Sequence, residues 1–159
     1  MTEAGRSREI HNALTDETVR FIRTAEETGG ELLVMEARWS SPEHSTPAHL
    51  HPGMEESWHL LEGHVGFRIG DDEVLAEAGQ SVRAPAGVPH TNWNIGGSPA
   101  LMRIEMRPAL RWEEFVRQLF ALASEGLEGE AAQRSVSELL GEFRAELELA
   151  PGEWAGRSA

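Results

Sequence analysis

Cysteine, tyrosine and lysine are all absent from this chain of 159 residues. Without cysteine there are no disulfides, no zinc-thiolate sites and no thiol nucleophile. Without lysine there is no Schiff base and no phosphate-binding P-loop, and without tyrosine no phenolic general acid. All 14 basic residues are arginine, against 27 acidic ones and seven histidines. Side-chain proton chemistry therefore falls to histidine, to carboxylates or to a metal-bound water.

Positive charge is also scarce. A net charge of −13 argues against nucleic acid, which requires clustered Lys and Arg to displace counterions, and against anionic membrane surfaces. No apolar run approaches the roughly 18 residues of a membrane-spanning helix. The opening residues Met1-Thr2-Glu3-Ala4-Gly5 lack the charged and apolar regions of a secretory signal, so a cytoplasmic location is expected.

What the chain does have is histidine in a pattern. The first group is His49, His51, Glu56 and Gly63; the second is Gly79, Pro85, Gly87, His90 and Asn94. On an extended strand His49 and His51 share a face, with Cα atoms ~7 Å apart. Pro52-Gly53 reads as a turn that returns the chain, so that Glu56 comes from the neighbouring strand. His90 arrives from a distant hairpin and closes the set. Three imidazoles and one carboxylate suit a divalent transition metal and leave room for water or substrate.

These two groups resemble the paired signatures of the cupin superfamily, G-x5-H-x-H-x3–4-E-x6-G and G-x5-P-x-G-x2-H-x3-N. Every position of the second signature is matched. The first departs only at its leading glycine, where Glu43 stands, a backbone position rather than a ligand. The resemblance covers roughly residues 30 to 107 and implies a mainly β fold, the double-stranded β-helix or jelly-roll barrel. It also implies a metal held by His49, His51, Glu56 and His90, and pairing of barrels into a homodimer.

Periodicity gives the same architecture independently. Residues 1–16 are polar and read as a mobile arm, 17–108 as the barrel, and 109–150 as a helical extension on the barrel or on a partner. Within the barrel, short alternating segments are punctuated by glycine and proline turns. In one of them Leu33, Met35, Ala37 and Trp39 make a single face. After Pro108 the period lengthens. Trp112, Phe115, Val116, Leu119, Phe120 and Ala123 form one helical stripe. Val136, Leu139, Leu140, Phe143 and Leu147 form another. Both are read as structural cover, with a lid over the barrel mouth as the alternative.

Strand parity nominates the pocket. If Glu56 faces inward, so does Trp58; if His90 does, so do Asn92 and Asn94. Met35, Trp39, Trp58, Phe67, Asn94 and Met102 are the substrate-contact candidates, and most would suit a small hydrophobic or aromatic molecule. His11, His44, His59 and His64 are read as structural or exposed, and Glu55 as solvated.

The resemblance implies a metal-dependent oxidoreductase of dioxygenase type, because quercetinase-like cupins share this ligand set. Iron is the first choice, with manganese, nickel, cobalt, copper and zinc as alternatives, and Glu56 doubles as a catalytic base. A cupin thiol dioxygenase with a Cys–Tyr crosslink and the tyrosine-dependent sugar epimerases are excluded. A metal-assisted isomerase, cyclase or lyase, or a small-ligand-binding module without turnover, remain as alternatives.

Overall fold

The computed structural model describes residues 5–152, and residues 1–4 of the expected arm lie outside them. Strands β1 (Glu9–Asn12), β2 (Glu17–Arg23), β3 (Leu33–Trp39), β4 (His49–Leu50) and β5 (Glu55–Glu62) come first. Then follow β6 (His64–Ile69), β7 (Asp72–Glu77), β8 (Ser81–Ala84), β9 (His90–Asn94) and β10 (Ala100–Arg107). The helices are α1 (Ala25–Thr28), α2 (Trp112–Ala123) and α3 (Gly129–Glu142), and a last strand, β11 (Glu148–Leu149), comes after them. One sheet runs β1-β2-β3-β10-β5-β8 and the other β11-β4-β9-β6-β7, with antiparallel pairings. This is the mainly β jelly roll with C-terminal helices that the sequence predicts.

Alternation explains why the sheets face each other. In β10, Ala100, Met102, Ile104 and Met106 are buried while Arg103, Glu105 and Arg107 face solvent. The inward row meets Phe67, Val65 and Leu60 in a single core, and the charged row keeps the outer face wet. Between β6 and β7 the two-residue Gly70-Asp71 turn depends on Gly70, whose φ of +58° lies in the left-handed region.

Two local readings differ from the structure, and one short element, α1, was not foreseen. The stretch read as a mobile arm contains β1, which pairs with β2 from Glu9↔Arg20 to Asn12↔Glu17. Asn12 Oδ1 accepts from the Leu14 and Thr15 amides and shapes the turn between the two strands. An edge strand lives on backbone bonds and one packed residue, here Ile10, so it shows no hydrophobic period. The single-turn α1 follows no stripe either. It rests on a capping box between Thr24 and Glu27, and Gly29 closes it with φ +65°. Finally, α3 stops at Glu142 although its apolar stripe continues. Phe143 and Leu147 are buried, at 1% and 6% exposure, but in a turn that sets β11 beside β4. The stripe foretold the buried face; the helix end depended on where the chain had to go next.

The C-terminal extension packs on the barrel. In α2 the residues Trp112, Phe115, Val116 and Phe120 are buried, and Glu113 and Glu114 sit in the first turn, where the helix dipole favours negative charge. No helix among the described residues is long and apolar enough to cross a membrane.

Candidate metal centre and its cavity

The four expected ligands converge. One donor atom from each of His49, His51, Glu56 and His90 lies within 4.8 Å of the other three. They come from both sheets. His49 and His90 are direct cross-strand partners on β4 and β9. Glu56 lies on β5, in the facing sheet rather than on a neighbouring strand as the Pro52-Gly53 turn had suggested. That turn carries the chain across the barrel. His51 is held at its start, just outside the short β4, with its ring 5.0 Å from that of His49.

Each imidazole is oriented by a backbone carbonyl. His49 Nδ1 is 2.6 Å from the Pro47 oxygen, His51 Nδ1 2.8 Å from that of Glu146, and His90 Nδ1 3.0 Å from that of Val88. A carbonyl only accepts, so Nδ1 carries the proton in all three rings and Nε2 turns inward with its lone pair available to a metal. His51 Nε2 and His90 Nε2 then lie 2.8 Å and 3.2 Å from the same oxygen, Glu56 Oε1. Two imidazole nitrogens meeting one carboxylate oxygen need a cation between them, a proton or a metal ion. Three converging imidazole nitrogens and a carboxylate therefore fit a first-row divalent ion by number and by orientation.

The electrostatics match. Burial and the nearby His90 and His51 push His49 down to about 4, so its ring is neutral and ready to ligate near pH 7. Burial opposes ionisation of Glu56, but the His51 and His90 rings against its Oε1 outweigh it and hold the carboxyl well below the usual carboxylate range.

Two supports of the site were not anticipated. The Glu146 carbonyl that orients His51 belongs to the C-terminal extension, and the Glu146 side chain is itself buried, accepting from the Arg111 amide and Nε. The Trp112 ring meets His51 edge-on at 4.7 Å. The extension thus braces a metal-ligand candidate some 95 residues away in sequence, a contact that no local spacing could reveal.

Beside the cluster opens a cavity of about 370 Å³, lined largely by apolar side chains. Met35, Trp39 and Trp58 line it, as strand parity predicts, together with His49 and Glu56. One wall comes from the helices through Trp112, Phe115, Val116 and Phe120. Three candidates do not line it. Phe67 and Met102 are fully buried in the core, with Phe67 packed on Trp58 at 5.0 Å. Asn94 is consumed by backbone: its Nδ2 donates to the Ser41 and Ser98 carbonyls and its Oδ1 accepts from the Gly96 amide. Parity chose the right face of each strand, but depth within the barrel separated packing from lining. Asn92 does line the cavity, its Oδ1 accepting from the Thr46 hydroxyl at 2.5 Å.

Among the described residues, the one acidic cavity residue outside the ligand cluster escaped the sequence reading. Glu17 shares the inward face of β2 with Val19 and Phe21 and lines the cavity, with Oε2 accepting from Trp39 Nε1 at 3.0 Å. Burial, partly offset by the Trp39 bond and reinforced by the charge of Glu56, raises its carboxyl to about 7. Extending the Val19–Phe21 alternation back by one step would have found it. Of the histidines read as structural, His44 stacks on Trp39 at 4.2 Å, and burial lowers its tendency to protonate. Glu55 reaches Arg83 at 3.4 Å, away from the cluster.

A family model described as "Cupin domain" matches residues 40–105. No curated protein is significantly similar to the chain. Among solved structures, the protein TT1209 from Thermus thermophilus is 33% identical over 50% of this chain and 74% of its own, with a TM-score of 0.47. The polyketide cyclase RemF from Streptomyces resistomycificus is 20% identical, covering 65% of this chain and 69% of its own, with a TM-score of 0.51. KdgF from Halomonas sp. is 9% identical, covering 68% and 90%, with a TM-score of 0.54. At these identities, RemF and KdgF share the fold.

Proposed function

From the premise that the chain belongs to the cupin superfamily, we propose that it is a metal-dependent oxidoreductase of dioxygenase type acting on a small hydrophobic or aromatic molecule. The observation that carries the reading is the juxtaposition of four oriented metal-ligand candidates with an apolar cavity. An iron ion so held supplies Lewis acidity and redox exchange with oxygen. The chain's own residues do the rest. His49, His51, His90 and Glu56 would hold the ion, and Trp58 and Trp39 would clamp a flat substrate. The helical wall would keep bulk water from the reacting face. Glu56, which lines the cavity beside the other three ligand candidates, would take a proton from substrate.

The chemistry divides on one comparison. Protein stripped of metal is reloaded with Fe(II) or Zn(II) and offered catechols, phenols and enolised diketones while oxygen and product are followed. The proposal expects oxygen uptake with iron and substrate together, and none with zinc, which has no redox chemistry. Equal conversion with both metals, or conversion under anaerobiosis, transfers the case to the metal-assisted isomerase, cyclase or lyase reading. The fold shared with a polyketide cyclase keeps that reading in view. Binding without conversion of any compound supports a ligand-binding module.

A further inference from the structure

Glu17 is a polar group with nothing in the metal cluster to explain it. It sits on the wall of a largely apolar cavity, and its one side-chain hydrogen bond among the described residues is from Trp39 Nε1 to Oε2. Its other oxygen, Oε1, is free to meet a ligand. The strand register also places it well. Glu17 lies opposite Trp39, which lies opposite Ala100 at the start of β10, whereas Glu56 lies opposite Met106 near the other end of that strand. The cavity therefore has a metal-ligand cluster toward one end and a tethered carboxyl toward the other, with Met35, Ala37, Trp58 and Ile104 between them.

We propose that Glu17 is the specificity-determining residue of this cavity, selecting small apolar ligands that carry a hydroxyl or enol O–H at the end away from the metal cluster. The assignment rests on the proposed function, because it places the substrate in the same cavity. Its physical basis is one-sided. Trp39 occupies Oε2 and fixes the carboxyl plane, so Oε1 presents an acceptor at a defined point. A ligand with a donor there forms a charge-assisted bond in a water-poor site. A ligand of the same shape without the donor leaves a charged oxygen buried against carbon. Such bonds discriminate by roughly ten-fold to a hundred-fold in affinity.

The test uses Zn(II)-loaded full-length protein, titrated calorimetrically at pH 8 with 2-naphthol and with 2-methoxynaphthalene, which differ in having or lacking the O–H. The wild type is expected to prefer the naphthol by ten-fold or more. Glu17→Gln keeps the shape and keeps an oxygen for Trp39 Nε1 but turns an NH2 toward the ligand. It should cut that preference at least five-fold and leave bound zinc unchanged. Trp39→Phe releases the tether and should give an intermediate preference, independent evidence should the glutamine variant fold poorly. If both compounds bind wild type equally, or if the preference persists in Glu17→Gln, the assignment falls while the cavity reading stands. If neither compound binds, the cavity is not the ligand site, and the functional reading falls with the assignment.

Discussion

Replacing Glu17 with glutamine should stabilise the protein, and increasingly so as pH rises. Glu17 titrates at about 7 in the fold against the usual carboxylate value of 4.5. Below 4.5 the group is protonated in both folded and unfolded chains and costs nothing. Between the two values the unfolded chain releases its proton while the fold retains it, so stability falls as pH rises; above about 7 the whole cost is present. A rise from 4.5 to about 7 corresponds to about 3 kcal/mol. Water reaching the cavity wall screens part of it, leaving about 2 kcal/mol as the working figure. Glutamine keeps the Trp39 hydrogen bond but has no charge to bury. In urea unfolding with chelator present, the variant should exceed wild type by under about 1 kcal/mol at pH 5 and by about 2 kcal/mol at pH 8. His49, held down to about 4, has the opposite dependence: its contribution is present above 6.5 and lost as pH falls toward 4. Both proteins share that loss, so their difference isolates Glu17. A flat difference, or one that shrinks with pH, refutes the reasoning.

The remaining expectations concern ligands, backbone, bracing and assembly. His49→Ala, His51→Ala and His90→Ala should each lower bound metal sharply by elemental analysis and Glu56→Ala less so; full occupancy in His51→Ala overturns the four-ligand assignment. Gly63→Ala should cost about 2–4 kcal/mol and Gly79→Ala about 1–2 kcal/mol in thermal or urea unfolding. Both glycines have positive φ, at +84° and +94°, but only at Gly63 would the new Cβ meet backbone, the Pro99 oxygen at 2.7 Å, so equal costs refute the steric argument. Phe143→Ala removes a 1%-exposed ring packed on Phe115 and under the Arg111 guanidinium, at a cost of about 3–5 kcal/mol. Because the same segment carries the carbonyl that orients His51, metal affinity should drop with it; unchanged affinity by competition with a chelator argues against bracing. Light scattering should return a homodimer, and a mass near 17.5 kDa at tens of micromolar refutes it.

The sequence by itself determined the metal-ligand candidates, because that information is local. His49 and His51 sit two apart, Glu56 and Gly63 follow at set intervals, and Pro85, Gly87, His90 and Asn94 form a second compact group. Side-chain alternation likewise told which face of β3 and β10 is buried, since a strand's period of two is written directly into the order of residues. Tertiary structure alone decided how far along the barrel each inward residue lies, and hence that Met35, Trp39 and Trp58 line the cavity while Phe67 and Met102 only fill the core. It alone brought Glu146 to His51 and made α2 one wall of the cavity, because those contacts join segments whose separation in sequence carries no periodic signal. Glu17 lies between the two cases. Its inward parity was legible one step before Val19, but only the packed cavity shows that this carboxyl lies among apolar side chains with little water, and that environment is what raises its affinity for a proton.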